Sequence, residues 1–412
     1  MGAASPLGVG VENTWQALTA GASGIRRSVA LTDKGLCTDI AGTVPEGSAP
    51  GELELEREFS RKELTRNDRF ILLARRAARE AVDASGWRPG TEHEQMRTGV
   101  VVGVGMGGFI TIAEGAQKFA ERGQHGVSPF FVPAVLSNLA GGQIAMEFGF
   151  RGPNYALSSA CATGADAIMA GARMIRLEEA EVVVTGGAEA GVHPLAAAGF
   201  CQARTLSRRF NDTPEEASRP FDRDRDGFVM AEGGAVLVLE EMEHAQRRGA
   251  PILAELVGYA TASDAYHITA TDPEGRGEAR VMRGALEMGR VNPEQVGYLN
   301  AHATSTPVGD RGELAAIRTV FGTGSSGPCV SSTKSATGHT LGAAGALEAV
   351  FAVRSLTDKV APPTRNLHSP DADADGINLV ARESRDLNTD YALSNAFGFG
   401  STKSSLLFGR AG

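Results

Sequence analysis

The sequence predicts an α/β protein, and three observations carry that prediction. Short apolar runs suited to buried strands alternate with stretches of helical period along the whole chain. Polar, glycine-rich segments follow several of those runs directly, where open α/β sheets place their ligand crevices. The 52 glycines among 412 residues fall at turns and between apolar runs, which suits tight connections and close packing.

In chain order, a helix is expected over 69–85 and a strand over 98–104, where Val100, Val101 and Val102 form a continuous apolar run. A short strand at 155–159 leads through small residues into a helix at 165–177. Strands at 182–185 and 235–239 close the first half. The second half should hold strands at 253–259, 298–300, 329–332 and 392–395, with helices at 278–288, 312–320 and 343–357. A polar stretch ending at Arg247-Arg248-Gly249-Ala250-Pro251 divides the chain into 1–250 and 251–412. The two parts echo each other: 155–169 and 329–350 both run strand, small residues, helix.

Composition bounds the function. Hydrophobic residues make up 42% and charged residues 22%, the balance of a soluble globular protein. A net charge of -9 argues against nucleic acid as a partner. No apolar run reaches membrane-span length, and the opening Met1-Gly2-Ala3-Ala4-Ser5-Pro6 lacks the basic start of a secretory signal. Cys37, Cys161, Cys201 and Cys329 lack metal-like spacing, so a reduced cytoplasmic chain without a disulfide framework is expected.

Two motifs are set aside. Gly103-Val104-Gly105-Met106-Gly107-Gly108 has the glycine spacing of a dinucleotide loop, but no strand ending in an acidic residue follows about 20 residues later. Asp222-Arg223-Asp224-Arg225-Asp226-Gly227 opens like a calcium loop, yet Gly233 stands where a bidentate Glu is needed and two arginines interrupt the acids. A salt-bridged turn over 219–227 is expected instead.

Cys161 sits at a strand-to-helix junction, where helix N–H groups and the helix dipole favour the nucleophilic thiolate. Taken singly it reads as a packed structural cysteine. Three further segments change that reading: Asn300-Ala301-His302-Ala303-Thr304-Ser305-Thr306, Ser332-Thr333-Lys334-Ser335-Ala336-Thr337-Gly338-His339 and Ser394-Asn395-Ala396-Phe397-Gly398-Phe399-Gly400-Ser401-Thr402-Lys403. Each places polar residues after a short apolar strand.

With these motifs the chain resembles, almost end to end, the β-ketoacyl-[acyl-carrier-protein] synthases, elongating condensing enzymes of the thiolase-like fold, and most closely their KAS II-like branch. The resemblance implies two pseudo-repeated α/β halves in a layered αβαβα body. It implies a decarboxylative Claisen condensation in fatty-acid elongation: an acyl group on Cys161 joins malonyl-[acyl-carrier-protein] to give a 3-oxoacyl product and CO2. A ketosynthase of a type II polyketide or polyene pathway is the alternative, and a non-catalytic partner like the chain-length factors is the alternative of another class. Such partners typically lose the cysteine, a thiolase would carry a second cysteine at His339, and an initiating condensing enzyme would carry Asn there.

Roles follow by resemblance. The backbone N–H groups of Cys161 and Phe399 form an oxyanion hole, and Phe399 also gates the site. His302 and His339 assist decarboxylation or donate to the enolate oxygen. Lys334 pairs with Glu313 and holds the histidine network. Thr304 and Thr306 bind the phosphopantetheine arm, while Met106 and Phe200 line the acyl pocket. Lys62, Arg66, Arg69 and Arg204 face an acidic acyl carrier protein. Asn300, Glu348, Ser394 and Asn395 match a structural cation site of some relatives, with no catalytic metal and no cofactor beyond the carrier's own arm. A homodimer is expected, a heterodimer with a related chain being the alternative.

The chain departs from the pattern in places. Ala303 replaces a usual glycine, and Ser401 and Lys403 stand where many relatives have Gly and Asn. These changes lie near the Phe399 hinge; the plain reading of Lys403 is an exposed side chain. The chain also starts without the strand relatives carry before Ser5-Pro6-Leu7-Gly8, which would expose a sheet edge unless another segment covers it.

Overall fold

Runs of β-branched and small residues build two mixed sheets in the computed structural model, which describes residues 1–324 and 327–411. The first sheet uses Gly2–Ser5 (β1), Gly8–Val9 (β2), Thr98–Gly103 (β3), Asn154–Tyr155 (β4), Val182–Glu189 (β5) and Gly233–Glu240 (β6), in the order β2-β1-β6-β5-β3-β4. The second uses Ala254–Ser263 (β7), Val296–Asn300 (β8), Cys329–Ser331 (β9), Tyr391–Gly398 (β10) and Thr402–Arg410 (β11), in the order β9-β8-β10-β11-β7. In each sheet a parallel core meets an antiparallel flank. Thr98 of β3 lies opposite Val182 of the parallel β5, and β10 pairs antiparallel with β11 from Tyr391–Gly409 to Gly398–Thr402.

The helices make the layers. Arg69–Ser85 (α1) starts at Asp68, whose side chain caps the Phe70 N–H, and ends at Gly86 in the left-handed conformation. Its apolar face covers the outer side of the first sheet. Arg276–Gly289 (α3) and Pro307–Phe321 (α4) cover the outer side of the second. Between the sheets lie Thr163–Arg176 (α2) and Ala344–Asp358 (α5): Ile168 and Met169 share one core with Val350, Phe351, Leu237 and Leu406. The order is therefore helix, sheet, helix, sheet, helix, as expected. The two central helices meet at glycines. A β-carbon on Gly164 would lie 2.6 Å from the Ala346 nitrogen, and one on Gly345 would lie 2.7 Å from the Ala165 nitrogen.

Four expectations change. Gly2–Ser5 is itself a strand, paired antiparallel with β6, so no sheet edge lies open beside β6. The strand expected at 155–159 shrinks to Asn154–Tyr155, because the following residues turn to present Cys161. Thr402–Arg410 is a full strand that the sequence hid, since it begins Thr-Lys-Ser-Ser. Cys37 and Cys201 form a disulfide across a sequence separation of 164, with Cα atoms 5.9 Å apart, which spacing alone does not reveal.

The two rejected motifs are structural. Arg219 pairs with Asp222 at 3.3 Å and Arg225 with Asp371 at 2.6 Å, giving the salt-bridged turn. Gly105 and Met106 donate their N–H groups to Glu189 at 3.0 and 3.2 Å. No helix among the described residues is long and apolar enough to cross a membrane.

Candidate active site

Cys161 lies on one 3₁₀ turn, Ala160–Ala162, leading into α2. Ala160 holds a left-handed φ of 51°, a strained setting for a residue with a side chain. Thr163 closes the turn: its Oγ1 accepts from the Ser159 N–H at 2.8 Å and donates to the Ala160 carbonyl at 2.7 Å. Asp166, one helical turn on, accepts from Ser159 Oγ and Ser404 Oγ, both at 2.5 Å.

Burial dominates the charge state of this sulfur. It pushes the Cys161 thiol up to about 11, while Lys334 and the backbone N–H groups of Phe399 and Cys161 itself pull the other way. The junction thus favours a thiolate as the sequence implies, but the resting group is a thiol because desolvation is larger. The N–H pair that draws the pKa down is the pair expected to form the oxyanion hole.

Both histidines follow second-sheet strands. His302 comes after β8, and Glu313 of α4 fixes its loop by accepting from the N–H groups of His302 at 2.9 Å and Ala303 at 2.7 Å. Asn395 Nδ2 donates to the same carboxylate at 3.0 Å. His339 follows the turn Lys334–Thr337; its backbone is gripped by Val229 and Ala231 at 2.8 and 2.9 Å. The two rings stand edge to face, with centroids 5.5 Å apart. Burial, then the charge of Lys334, holds both well below the usual histidine range, so both are neutral. His302 Nδ1 and both ring nitrogens of His339 are buried with no partner among the described residues.

The expected Lys334–Glu313 pair is corrected. Lys334, 1% exposed, pairs with Glu348 of α5, and Glu313 is occupied by backbone N–H groups. Burial raises both Glu313 and Glu348 to about 7. Glu313 thus holds the His302 loop by its backbone, while the charge of Lys334 acts on both rings.

Cys161, His302 and His339 share a cavity of about 460 Å³. Met106 and Phe200 also line it, as do Thr304 and Thr306, whose hydroxyls are 3.1 Å apart. Phe399 stands at its edge, 37% exposed. Phe200 packs edge-on against Phe228 at 5.2 Å, and Phe228 packs against His339 at 5.5 Å, so the Phe200 and His339 walls of the cavity are continuous.

The remaining residues fall in several places. Lys62 and Arg66 are exposed, Arg66 lying over the Phe130 ring at 4.2 Å, and exposed Arg204 borders the cavity. Arg69 is instead engaged by Glu232 at 2.7 Å and by Glu46. Asn300 Oδ1 and Glu348 Oε2 are buried without partners among the described residues, and both are oxygens of the kind that hard cations take as ligands. Ser394 is buried on β10, but Asn395 has spent its side chain on Glu313, Met282 and Ser405 and is not free to join them. Ala303 is buried, and its N–H serves Glu313. Lys403, read as exposed, is 2% exposed and pairs with Asp264 at 2.9 Å.

Sequence reasoning missed Glu189. It ends β5 inside the cavity wall and accepts from Gly105, Met106 and Gly342 N–H groups at 3.0, 3.2 and 3.2 Å. Burial raises it to about 7. The available signal was an acidic residue closing an otherwise uncharged strand.

Comparison with known proteins gives a consistent set of likenesses. Residues 1–245 match the family described as beta-ketoacyl synthase, N-terminal domain, and residues 253–368 match beta-ketoacyl synthase, C-terminal domain. The chain is 45% identical to the mitochondrial 3-oxoacyl-[acyl-carrier-protein] synthase of Arabidopsis thaliana, over 99% of this chain and 91% of the relative. It is 43% identical to 3-oxoacyl-[acyl-carrier-protein] synthase 2 of Rhizobium meliloti, over 99% and 97%. Among solved structures, it is similar to a type II polyketide ketosynthase in complex with its acyl-carrier protein and bound to a hexaketide. That likeness has a TM-score of 0.90 and 29% identity, over 100% of this chain and 98% of that one. The ishigamide ketosynthase/chain length factor is similar at a TM-score of 0.90 and 31% identity, with the same coverage.

Proposed function

The chain belongs to the β-ketoacyl synthase family, and from that premise we propose how its residues carry out the condensation of fatty-acid elongation. It is an acyltransferase that joins a Cys161-bound acyl group to malonyl-[acyl-carrier-protein] with loss of CO2. The observation that carries the residue roles is the convergence in one cavity of a thiol faced by two N–H donors and two neutral imidazoles with free nitrogens.

In the first half-reaction Cys161 Sγ attacks the carrier thioester, and the N–H groups of Cys161 and Phe399 hold the oxyanion. The carrier thiolate leaves and takes the proton that the Cys161 thiol gives up. In the second, the malonyl C–CO2 bond breaks and its electron pair forms an enolate. His302 and His339 donate to the enolate oxygen, and neutral rings are suited to this because each keeps one N–H while adding no buried charge. The enolate carbon attacks the acyl carbonyl, the same N–H pair holds the new oxyanion, and Cys161 leaves as a thiolate that regains a proton from water. Lys334, paired with Glu348, keeps the positive potential that steadies these anions.

Thr304 and Thr306, which line the cavity, bind the phosphopantetheine arm in this reading. Met106 and Phe200 set the acyl-pocket wall. Lys62, Arg66 and Arg204 are the docking residues for an acidic acyl carrier protein, and Arg69 is better read as a brace. A homodimer and a division into halves at 1–250 and 251–412 complete the reading, with Asn300 and Glu348 the two groups toward a structural cation.

Incubation with acyl- and malonyl-carrier thioesters tests this. An acyl mass gain on Cys161, then CO2 release and a product two carbons longer, is expected; full condensation by Cys161→Ala would overturn it. A polyketide role is the second reading, favoured by the likeness to polyketide ketosynthases. Repeated elongation without reduction between cycles would select it.

A further inference from the structure

Lys403 lies near the start of β11, just after the turn that carries Phe399. Its ammonium is 2.9 Å from Asp264 Oδ2 and 3.7 Å from Glu278 Oε1, and it is the only cation paired with either carboxylate among the described residues. The segment between those partners, residues 264–278, is stitched to the same turn three more times. Gly400 N donates to the Ile268 carbonyl at 2.7 Å, Asp264 N to the Ser401 carbonyl at 3.2 Å, and Ser401 Oγ to the His267 carbonyl at 3.1 Å. The other end of the turn meets the nucleophile. A β-carbon on Gly398 would lie 2.5 Å from the Ser159 carbonyl oxygen and 3.3 Å from the Cys161 nitrogen, so this strand end rests directly on the Cys161 turn. Phe399 lies between these anchors, and its backbone N–H is among the groups that draw the Cys161 thiol pKa down.

We propose that Lys403 is a positioning residue: its ion pairs with Asp264 and Glu278 fix the 398–401 turn so that the Phe399 N–H stays aligned with the oxygen of the tetrahedral intermediate on Cys161. Removing the ammonium leaves two buried carboxylates without a counter-charge, and the 264–278 segment must shift to hydrate them. The turn moves with it through the three bonds to Gly400 and Ser401. Ser401 and Lys403 thus act together, which explains why a hydroxyl and an ammonium occupy two places where a hinge would be freer without them. Oxyanion donors act in the transition state, so the loss falls on turnover and not on substrate binding. This inference rests on the oxyanion role assigned to Phe399 above.

Rates of Cys161 acylation by an acyl-carrier thioester, read by intact mass, test it in Lys403→Met, Lys403→Arg and Asp264→Asn. Lys403→Met is expected to lower the acylation kcat by about tenfold or more, with KM changed by no more than about twofold. Lys403→Arg should recover most of the rate. Asp264→Asn, which leaves Lys403 paired with Glu278, should show a smaller fall of the same kind and serves if Lys403→Met does not fold. An unchanged kcat in Lys403→Met, a change in KM alone, or equal losses in the Met and Arg variants tracking a lowered Tm would each overturn the proposal. Failure of the unmodified chain to acylate Cys161 would overturn the site assignment itself, a separate result.

Discussion

Cys161, the proposed nucleophile, is stored as a thiol, and its environment fixes two pH dependences. Burial raises its pKa from 9.0 to about 11, so single-turnover acylation should speed up as pH rises above neutral. Stability moves the opposite way. A folded-state pKa above the unfolded value contributes stability that is full below pH 9 and is lost as pH rises to about 11. The loss is about 2–3 kcal/mol, and Tyr298, also raised by burial, adds to the same alkaline slope. Urea titrations across that range should show the decline, and Cys161→Ala should make it shallower. Lys334 and Glu348 give a second residue-scale prediction. Neutralising either alone strands a buried charge and should cost about 3–5 kcal/mol. The double variant Lys334→Met with Glu348→Gln should cost less than the sum, and a denaturation cycle measures that coupling. Of the site itself, Cys161, His302, His339 and Lys334 were legible because each sits in a polar motif after an apolar strand. The partner of Lys334 was not, because Glu348 lies inside an apolar helix and reads as a lone acid among core residues.

At the scale of elements, legibility followed how far local pattern and burial agreed. The helix over 69–85 appears with the expected bounds because cap, period and C-terminal glycine all point the same way. Thr402–Arg410 was hidden because its first residues spend polar side chains internally: Lys403 on Asp264, Ser404 on Asp166 and Ser405 on Asn395. A strand buried on both faces that is also polar carries no alternation to read. The central helices make the sharpest element-scale prediction. Gly164→Ala would set a methyl 2.6 Å from the Ala346 backbone nitrogen and force α2 and α5 apart. Destabilisation of about 1–3 kcal/mol should follow, read as a lowered Tm, with acyl transfer falling further than stability alone explains, because α2 carries the Cys161 turn.

The whole molecule is two sheets closed over a pair of shared helices, and its thiols report on how they are tied. The Cys37–Cys201 disulfide joins an early loop to the helix of Phe200, which was invisible to a reading based on cysteine spacing. Thiol titration of the denatured, unreduced protein should find two free thiols, Cys161 and Cys329, and four after reduction. Reduction should lower stability by about 2–4 kcal/mol, seen as a fall in Tm. Layer order could be foreseen from resemblance, but this tie could not, since it depends on three-dimensional proximity alone.

The stacking of Cys161 from one sheet's side against histidines from the other has a kinetic consequence. Cys161 is 141 and 178 residues from His302 and His339 in sequence, and they meet only across the seam where α2 and α5 dock. Contacts of such long range form late when a chain of this size refolds. On dilution from denaturant, helical circular dichroism should therefore recover before acyl transfer does, and the lag between the two signals times the closing of the seam. Simultaneous recovery would mean that the two sheets never form apart.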